Sequence, residues 1–200
     1  MSTVSEWMHH HVWPEIEAMM FNDAHFRLVL EARRLTKKFN GPTAKLLQDG
    51  YLTSQMVTIR RLCDKRSDVY SLSGALRECE KERPNLKPQI HQLLESLNDC
   101  DHVCEQVNKH VAHTANPVKS RSFVEWDMGM KHLEDAQRAI CKAAITLERD
   151  ILQIQNRIEI IPVSQDDIAQ DLRLWVPDQF IADLYQFWHN HTKKVNSWKR

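Results

Sequence analysis

Seven apolar residues, Ile90, Leu93, Leu97, Cys100, Cys104, Val107 and Val111, recur at alternating steps of three and four. An α-helix, at about 3.6 residues per turn, gathers such a set onto one side, and that side needs another element to cover it. The chain is therefore expected to fold helix against helix. Interleaved with the apolar stripe runs a polar one, His91, Glu95, Asn98, His102, Gln106, Lys109 and His113, also at steps of three and four. A polar stripe of this kind ordinarily faces water. Ala115-Asn116-Pro117 closes the segment, so the helix delivers Asn108, Lys109, His110 and His113 to its own C-terminal end. Unpaired carbonyls and the backbone dipole favour cations there, which by itself accounts for a lysine and two histidines.

The rest of the chain reads as helices separated by short stops. Trp13-Pro14 predicts a break or kink, because proline disfavours helical geometry in the residue before it. Asn22-Asp23 is expected to cap a second piece running through Phe26, Val29, Leu30 and Phe39. Asn40-Gly41-Pro42 combines a left-handed C-terminal cap with a residue that can start the next helix. That next helix is predicted over 43–66, burying Leu47, Leu52, Met56, Ile59, Leu62 and Cys63. A short helix over 71–82 stops before Pro84. After a loop over 116–122, a long helix is expected over 123–157, carried by Trp126, Met130, Leu133, Ile140, Ala144, Leu147, Ile151 and Ile154. Ile160-Ile161-Pro162-Val163 ends it. Ser164-Gln165-Asp166-Asp167 looks like a helix start that Pro177 soon interrupts. A last helix over 178–197 is expected to bury Phe180, Leu184, Phe187, Trp188 and Val195. No segment reads as a strand and none repeats. The expected fold is all-α, an antiparallel helical bundle forming one domain over 1–200.

Composition narrows the function more than the fold. The 27 basic and 27 acidic residues cancel, so attraction to nucleic acid must come from a local patch or from protonated histidines. Four glycines in 200 residues leave little room for glycine-rich phosphate loops. The N-terminus has no basic region followed by an apolar run, and no segment nears the roughly 18 apolar residues of a membrane span. The expected compartment is the cytoplasm, without membrane contact. There Cys100 and Cys104 are expected to serve as small core thiols rather than disulfide partners.

Metal and nucleophile signatures are weak. His102 lies across the helix from Cys100 and Cys104, and no second short-spaced ligand pair exists. The consecutive His9, His10 and His11 cannot share one helical face, and the carboxylate-and-histidine pattern of di-iron bundles is absent. No metal and no other cofactor is expected. There is also no glycine-flanked serine elbow.

The end of the striped helix remains as the chemical candidate. Histidine exchanges protons near neutrality, its reference pKa being about 6.5. Metal-free RNA cleavage needs a base for the ribose 2′-hydroxyl, an acid for the leaving oxygen and a cation for the charge that builds on phosphorus. His113 and His110 can move protons, Lys109 can offset charge, and Asn108 can hydrogen-bond a phosphate. Equally, the same residues describe a solvated helix end.

Asn108-Lys109-His110-Val111-Ala112-His113-Thr114 resembles the signature of the HEPN superfamily (higher eukaryotes and prokaryotes nucleotide-binding), in its AbiU-like abortive-infection branch. Ile59-Arg60-Arg61-Leu62-Cys63-Asp64 and the Ser71-Leu72 helix start are similar to upstream features of that branch. The resemblance covers about residues 45–155, with 164–200 as a helical extension, and only its two short motifs are specific. It implies a bundle of HEPN type that forms a homodimer and pairs two copies of the motif in a cleft. It further implies RNA or a nucleotide as ligand and a cognate antitoxin or other defence partner. Active members cleave RNA without metal, in phage defence or toxin–antitoxin systems. Carried onto this chain, His113, Asn108, Lys109 and His110 would be the catalytic set, with Arg61 and Lys109 contacting nucleic acid. Where the family has an arginine this chain has Val107, which cannot bind phosphate. Two functions follow from that departure: a metal-independent endoribonuclease, or a non-catalytic helical module that binds a nucleotide or a protein.

Overall fold

The computed structural model describes residues 3–37, 41–111, 128–154, 160–161 and 176–199. Among these the chain is all-α, without a strand. The helices are α1 (Val4–Trp7), α2 (Trp13–Thr36), α3 (Pro42–Leu62), α4 (Leu72–Glu82), α5 (Lys87–Ser96), α6 (Asp101–Gln106), α7 (Met130–Thr146) and α8 (Ile181–Asn196). No helix among the described residues is long and apolar enough to cross a membrane.

Contacts divide the chain into two compact units. One comprises Met1–Ile16 and Thr53–Asn156, the other Glu17–Leu52 and Arg157–Arg200. Helices α2 and α3 each contribute one end to either unit.

In the first unit α1 opens with a capping box. The Thr3 hydroxyl accepts from the Glu6 N–H at 3.3 Å, and the Thr3 N–H donates to the Glu6 carboxylate at 2.9 Å. The break expected at Trp13-Pro14 takes another form. Trp13 is right-handed helical, and its N–H reaches back five residues to the Met8 carbonyl, closing a π-helical turn over Met8–Val12. The widened turn accommodates a ring that has no N–H to give and crowds the carbonyl four residues earlier. The helix continues through the proline.

After α3 the chain turns on two hydrogen bonds around Asp64. The Asp64 carboxylate accepts from the Arg66 N–H at 3.0 Å, and its carbonyl accepts from the Ser71 hydroxyl at 2.6 Å. Ser71 in turn caps α4 by accepting from the Gly74 N–H at 2.9 Å. Gly74 is required by packing: a Cβ there would lie 2.8 Å from the Trp7 ring. Leu72, Ala75, Leu76 and Cys79 line the buried side of α4. Burying a leucine fully is worth about 1.5–3 kcal/mol.

The striped segment is helical but not uniform. Between α5 and α6 it tightens into a 3-10 turn over Leu97–Cys100, and after α6 it widens into a π turn over Val107–Val111. Ile90, Leu97, Cys100, Val103 and Val107 are buried. The tightened turn packs on α7, whose Ala136, Ala139, Ala143 and Ala144 are small enough for close approach. There the Cys100 thiol donates to the Ala136 carbonyl at 3.7 Å. A buried amide pair, Gln137 Nε2 donating to Gln55 Oε1 at 2.9 Å, ties α7 to α3. Helix α7 passes into a π turn over Leu147–Leu152 and stops at the left-handed Gln153, short of the expected 157. Ile154 lies beyond that stop and donates its N–H to the Glu148 carbonyl at 2.9 Å.

In the second unit α2 ends at Lys37, which is left-handed and donates its N–H to Arg33 at 2.8 Å. Gly41 has a φ of 91°, and Pro42 begins α3 as expected; Asn40 and Phe39 lie outside the described residues. Asn22 and Asp23 do not cap a helix. They sit inside α2, with Asp23 buried. Leu47, expected in the core, is 47% exposed and its neighbour Leu46 72%, whereas Tyr51 and Leu52 are buried. On α8 the buried side is Ile181, Leu184, Trp188, His191 and Val195, again at steps of three and four. The Ile160 N–H donates to Asn196 Oδ1 at 2.7 Å, holding the buried Ile160-Ile161 pair against the end of that helix. The helix starts expected at 123 and at 164–167 lie outside the described residues.

Candidate functional site

Three helices of the first unit enclose a cleft of about 570 Å³. Its first wall is the end of α3, where Ile59 and Leu62 point inward and leave Arg60, Cys63 and Asp64 on the cleft side. The second is α4, through Ser73, Arg77 and Glu80. The third is the striped segment, through His91, Leu94, Glu95, Asn98, Asp101, Cys104 and Asn108. Each set keeps the three-and-four spacing that places residues on one helical face.

At one end Arg60 Nε donates to Asn108 Oδ1 at 2.7 Å, and Arg60 Nη1 lies 3.5 Å from the Asp64 carboxylate. At the other, Glu80 receives Lys87 Nζ at 2.8 Å and faces His91 Nε2 at 3.2 Å. Lys87 and then His91 hold the Glu80 carboxyl below its usual range. Three thiols, Cys63, Cys100 and Cys104, gather behind the Arg60 wall. Hydrogen bonding to Cys100, together with burial, raises the Cys63 thiol well above its ordinary value, and contact with Cys63 and burial raise Cys104. Cys63 and Cys104 are therefore protonated, inert sulfurs near neutral pH, and all five cysteines are free. Among the described residues no three His, Cys, Asp or Glu side chains are placed to hold a metal.

The residues singled out in the sequence are only partly brought together. Asn108 stands exposed on the cleft wall within the π turn. Lys109 is half-buried and does not line the cleft. His110 contributes backbone to the π turn; its side chain and the whole of His113 lie outside the described residues. Arg61 turns away and pairs with Glu15 at 2.7 Å, so the arginine beside Asn108 is Arg60. One residue along a helix is a rotation of about 100°, which suffices to send neighbours to different partners.

The polar stripe does not form one solvated face. Gln106 is fully buried, and His102 leaves the cleft for a separate one of about 420 Å³, where its ring meets His132 edge-on at 4.8 Å. The tightened turn at Leu97–Cys100 shifts the angular register ahead of both residues, so spacing alone misplaced them. Sequence reasoning also passed over Lys65, Arg77 and Glu80. For Arg77 and Glu80 the signal was their three-residue spacing on α4; Lys65 follows α3 and had none.

What fold and geometry define is an all-α protein with a charged cleft at the meeting of α3, α4 and the striped segment. The chain matches no protein-family model, no curated protein and no solved structure.

Proposed function

We propose that this chain is a HEPN-like protein of the AbiU-like kind that binds RNA at the Asn108 cleft and cleaves it without metal. The observation that carries the reading is the contact between Arg60 and Asn108. The family resemblance asks for a guanidinium where Val107 stands, and Arg60 supplies one from α3, next to the motif asparagine. A planar guanidinium beside an amide offers several N–H donors to a phosphate and stabilises charge developing on it. In this assignment Arg60 stabilises the phosphorane, Asn108 orients the phosphate and His113 moves the proton, with Lys109 and His110 adding positive charge. Homodimerisation would pair two such clefts, and a defence partner such as an antitoxin would regulate them.

The test is degradation of a labelled RNA by purified protein in EDTA. Removing one such donor costs about 10²–10³-fold in rate, so Arg60→Ala should lose at least that, and His113→Ala should be inactive. Equal cleavage by wild type and both variants would assign the signal to a contaminant and remove the nuclease reading. A mass measurement tests the dimer, which a monomer at high concentration would overturn.

A second reading is a non-catalytic module that binds a nucleotide or a protein. It is favoured by Arg60 being already engaged by both Asn108 and Asp64. RNA binding without turnover, lost in Arg60→Ala, would select it.

A further inference from the structure

A second cleft, of about 540 Å³, adjoins the first. Lys65, Arg77 and Glu80 line both. Beyond them the second cleft carries Arg66, Lys81 and Lys87, so five cations face two carboxylates, Glu78 and Glu80. Lys81 and Lys87 pair with those carboxylates at 2.7 and 2.8 Å, and Arg66 with Asp64 and Asp68. Exposed pairs of this sort contribute about 0–1 kcal/mol and exchange readily for a phosphate. The side chains of Lys65 and Arg77, both exposed, have no ion-pair or hydrogen-bond partner among the described residues. The two unpaired cations thus stand where the clefts join.

An aromatic cluster reaches the second cleft through Trp7. Trp7 lines the second cleft and meets Tyr70 edge-on at 5.0 Å. Tyr70 is 55% exposed and lies parallel to the exposed His11 ring, 4.0 Å away at 9°. A parallel, exposed ring pile beside a row of cations is the combination that holds single strands: phosphates take the cations, and an unpaired base continues the stack. An acidic peptide would use the cations and leave the rings idle. A duplex keeps its base faces inside its own stack.

We propose that the two clefts form one groove for single-stranded RNA, running from Asn108 past Lys65 and Arg77, with a base stacked on the His11–Tyr70 pair. This rests on the RNA reading of the Asn108 cleft and extends it by naming the strand's path.

The test uses the full chain and a fluorescent 2′-O-methylated single strand, which 2′-hydroxyl chemistry cannot cut, with anisotropy measured across a salt series. Loss of a stacking ring should weaken binding roughly tenfold in Tyr70→Ala, while Tyr70→Phe binds like wild type. The double variant Lys65→Ala/Arg77→Ala should weaken binding and lower the slope of log affinity against log salt by about 1.4, roughly 0.7 per phosphate contact. Lys45→Ala/Lys193→Ala, the same charge change outside the groove, should leave the slope as it is. If Arg60→Ala loses RNA while the Tyr70 and Lys65/Arg77 variants bind normally, the groove is wrong and the RNA reading stands. A wild type that ignores RNA removes both. Equal competition by duplex RNA, or by polyglutamate without dependence on Tyr70, overturns the single-strand assignment in favour of a general anion surface.

Discussion

Two polar clusters, one in each unit, show what separates a structural network from a binding surface. In the second unit the Asp23 carboxylate is buried and accepts from Arg27 Nε at 2.8 Å and from the Tyr51 hydroxyl, with His191 Nε2 at 3.4 Å. Stacked rings seal it, Phe26 on Tyr51 at 3.9 Å and Phe187 on His191 at 6.2 Å. In the first unit Arg60, Asn108, Lys65 and Arg77 lie at the surface, and among the described residues two of the four have no partner. A carboxylate with two hydrogen-bond donors and a histidine at 3.4 Å has little left to offer a ligand. A cation without a carboxylate keeps its full attraction for an anion.

Burial raises the Asp23 carboxyl, but the His191 hydrogen bond, the Arg27 charge and the Tyr51 hydroxyl outweigh it and hold the group below its ordinary range. That balance makes Asp23 the place where the largest stability effect is expected. Asp23→Ala leaves an arginine, a tyrosine and a histidine facing a gap, and breaking a buried pair in this way costs about 3–5 kcal/mol. Urea unfolding measures it. RNA affinity of the folded fraction should be unchanged; a variant that lost RNA but kept its stability would erase the contrast between the clusters.

Next in size is Gly74, a closed joint beneath the open groove. Gly74→Val drives a side chain into Trp7 and should cost about 1–3 kcal/mol by overpacking, seen as a lower melting temperature. A variant as stable as wild type would mean that Trp7 can move aside, and with it one end of the ring cluster.

The pH dependence sharpens the comparison further. A carboxyl with a lowered folded pKa binds fewer protons folded than unfolded, so it adds stability above the unfolded value of about 3.9. That stability is lost as the pH falls through the lower folded value. Acid unfolding should therefore steepen below about pH 4, and Asp23→Asn should flatten the curve there. The smallest expected stability change belongs to Arg60→Ala, about 1 kcal/mol, because the Arg60 side chain is 38% exposed and the buried Asp64 side chain keeps Arg66, although RNA cleavage should fall with it. A loss of several kcal/mol instead would make Arg60 a structural residue and withdraw it from the site.

Much of the fold was legible because it is local. Ser71 before α4, Gly41-Pro42 before α3 and the apolar spacing of α8 act within a few residues of themselves. His191 belongs to that α8 spacing and was passed over because a histidine on an apolar face scores as polar; its partner is on α2. Leu47 fits the stripe of α3 yet is half-exposed, since periodicity says which side of a helix is apolar and not how far along it a neighbour extends. Of the candidate site, Asn108 was legible as a residue type at a helix end. Its partner was not, because Arg60 and Arg61 are equivalent by composition and differ only in which way α3 turns them.

The sequence by itself determined that the chain is helical, that α3 starts at Pro42 and α4 after Ser71, and which side of α8 is apolar. These follow from backbone sterics and from spacing at 3.6 residues per turn, which neighbouring residues settle among themselves. Tertiary structure decided the pairings. It placed Arg60 rather than Arg61 at Asn108, left Lys65 and Arg77 without a partner among the described residues, and closed Asp23 with side chains from three helices. Those choices depend on distance across the fold and on burial from water, quantities that exist only once separate stretches of chain have met.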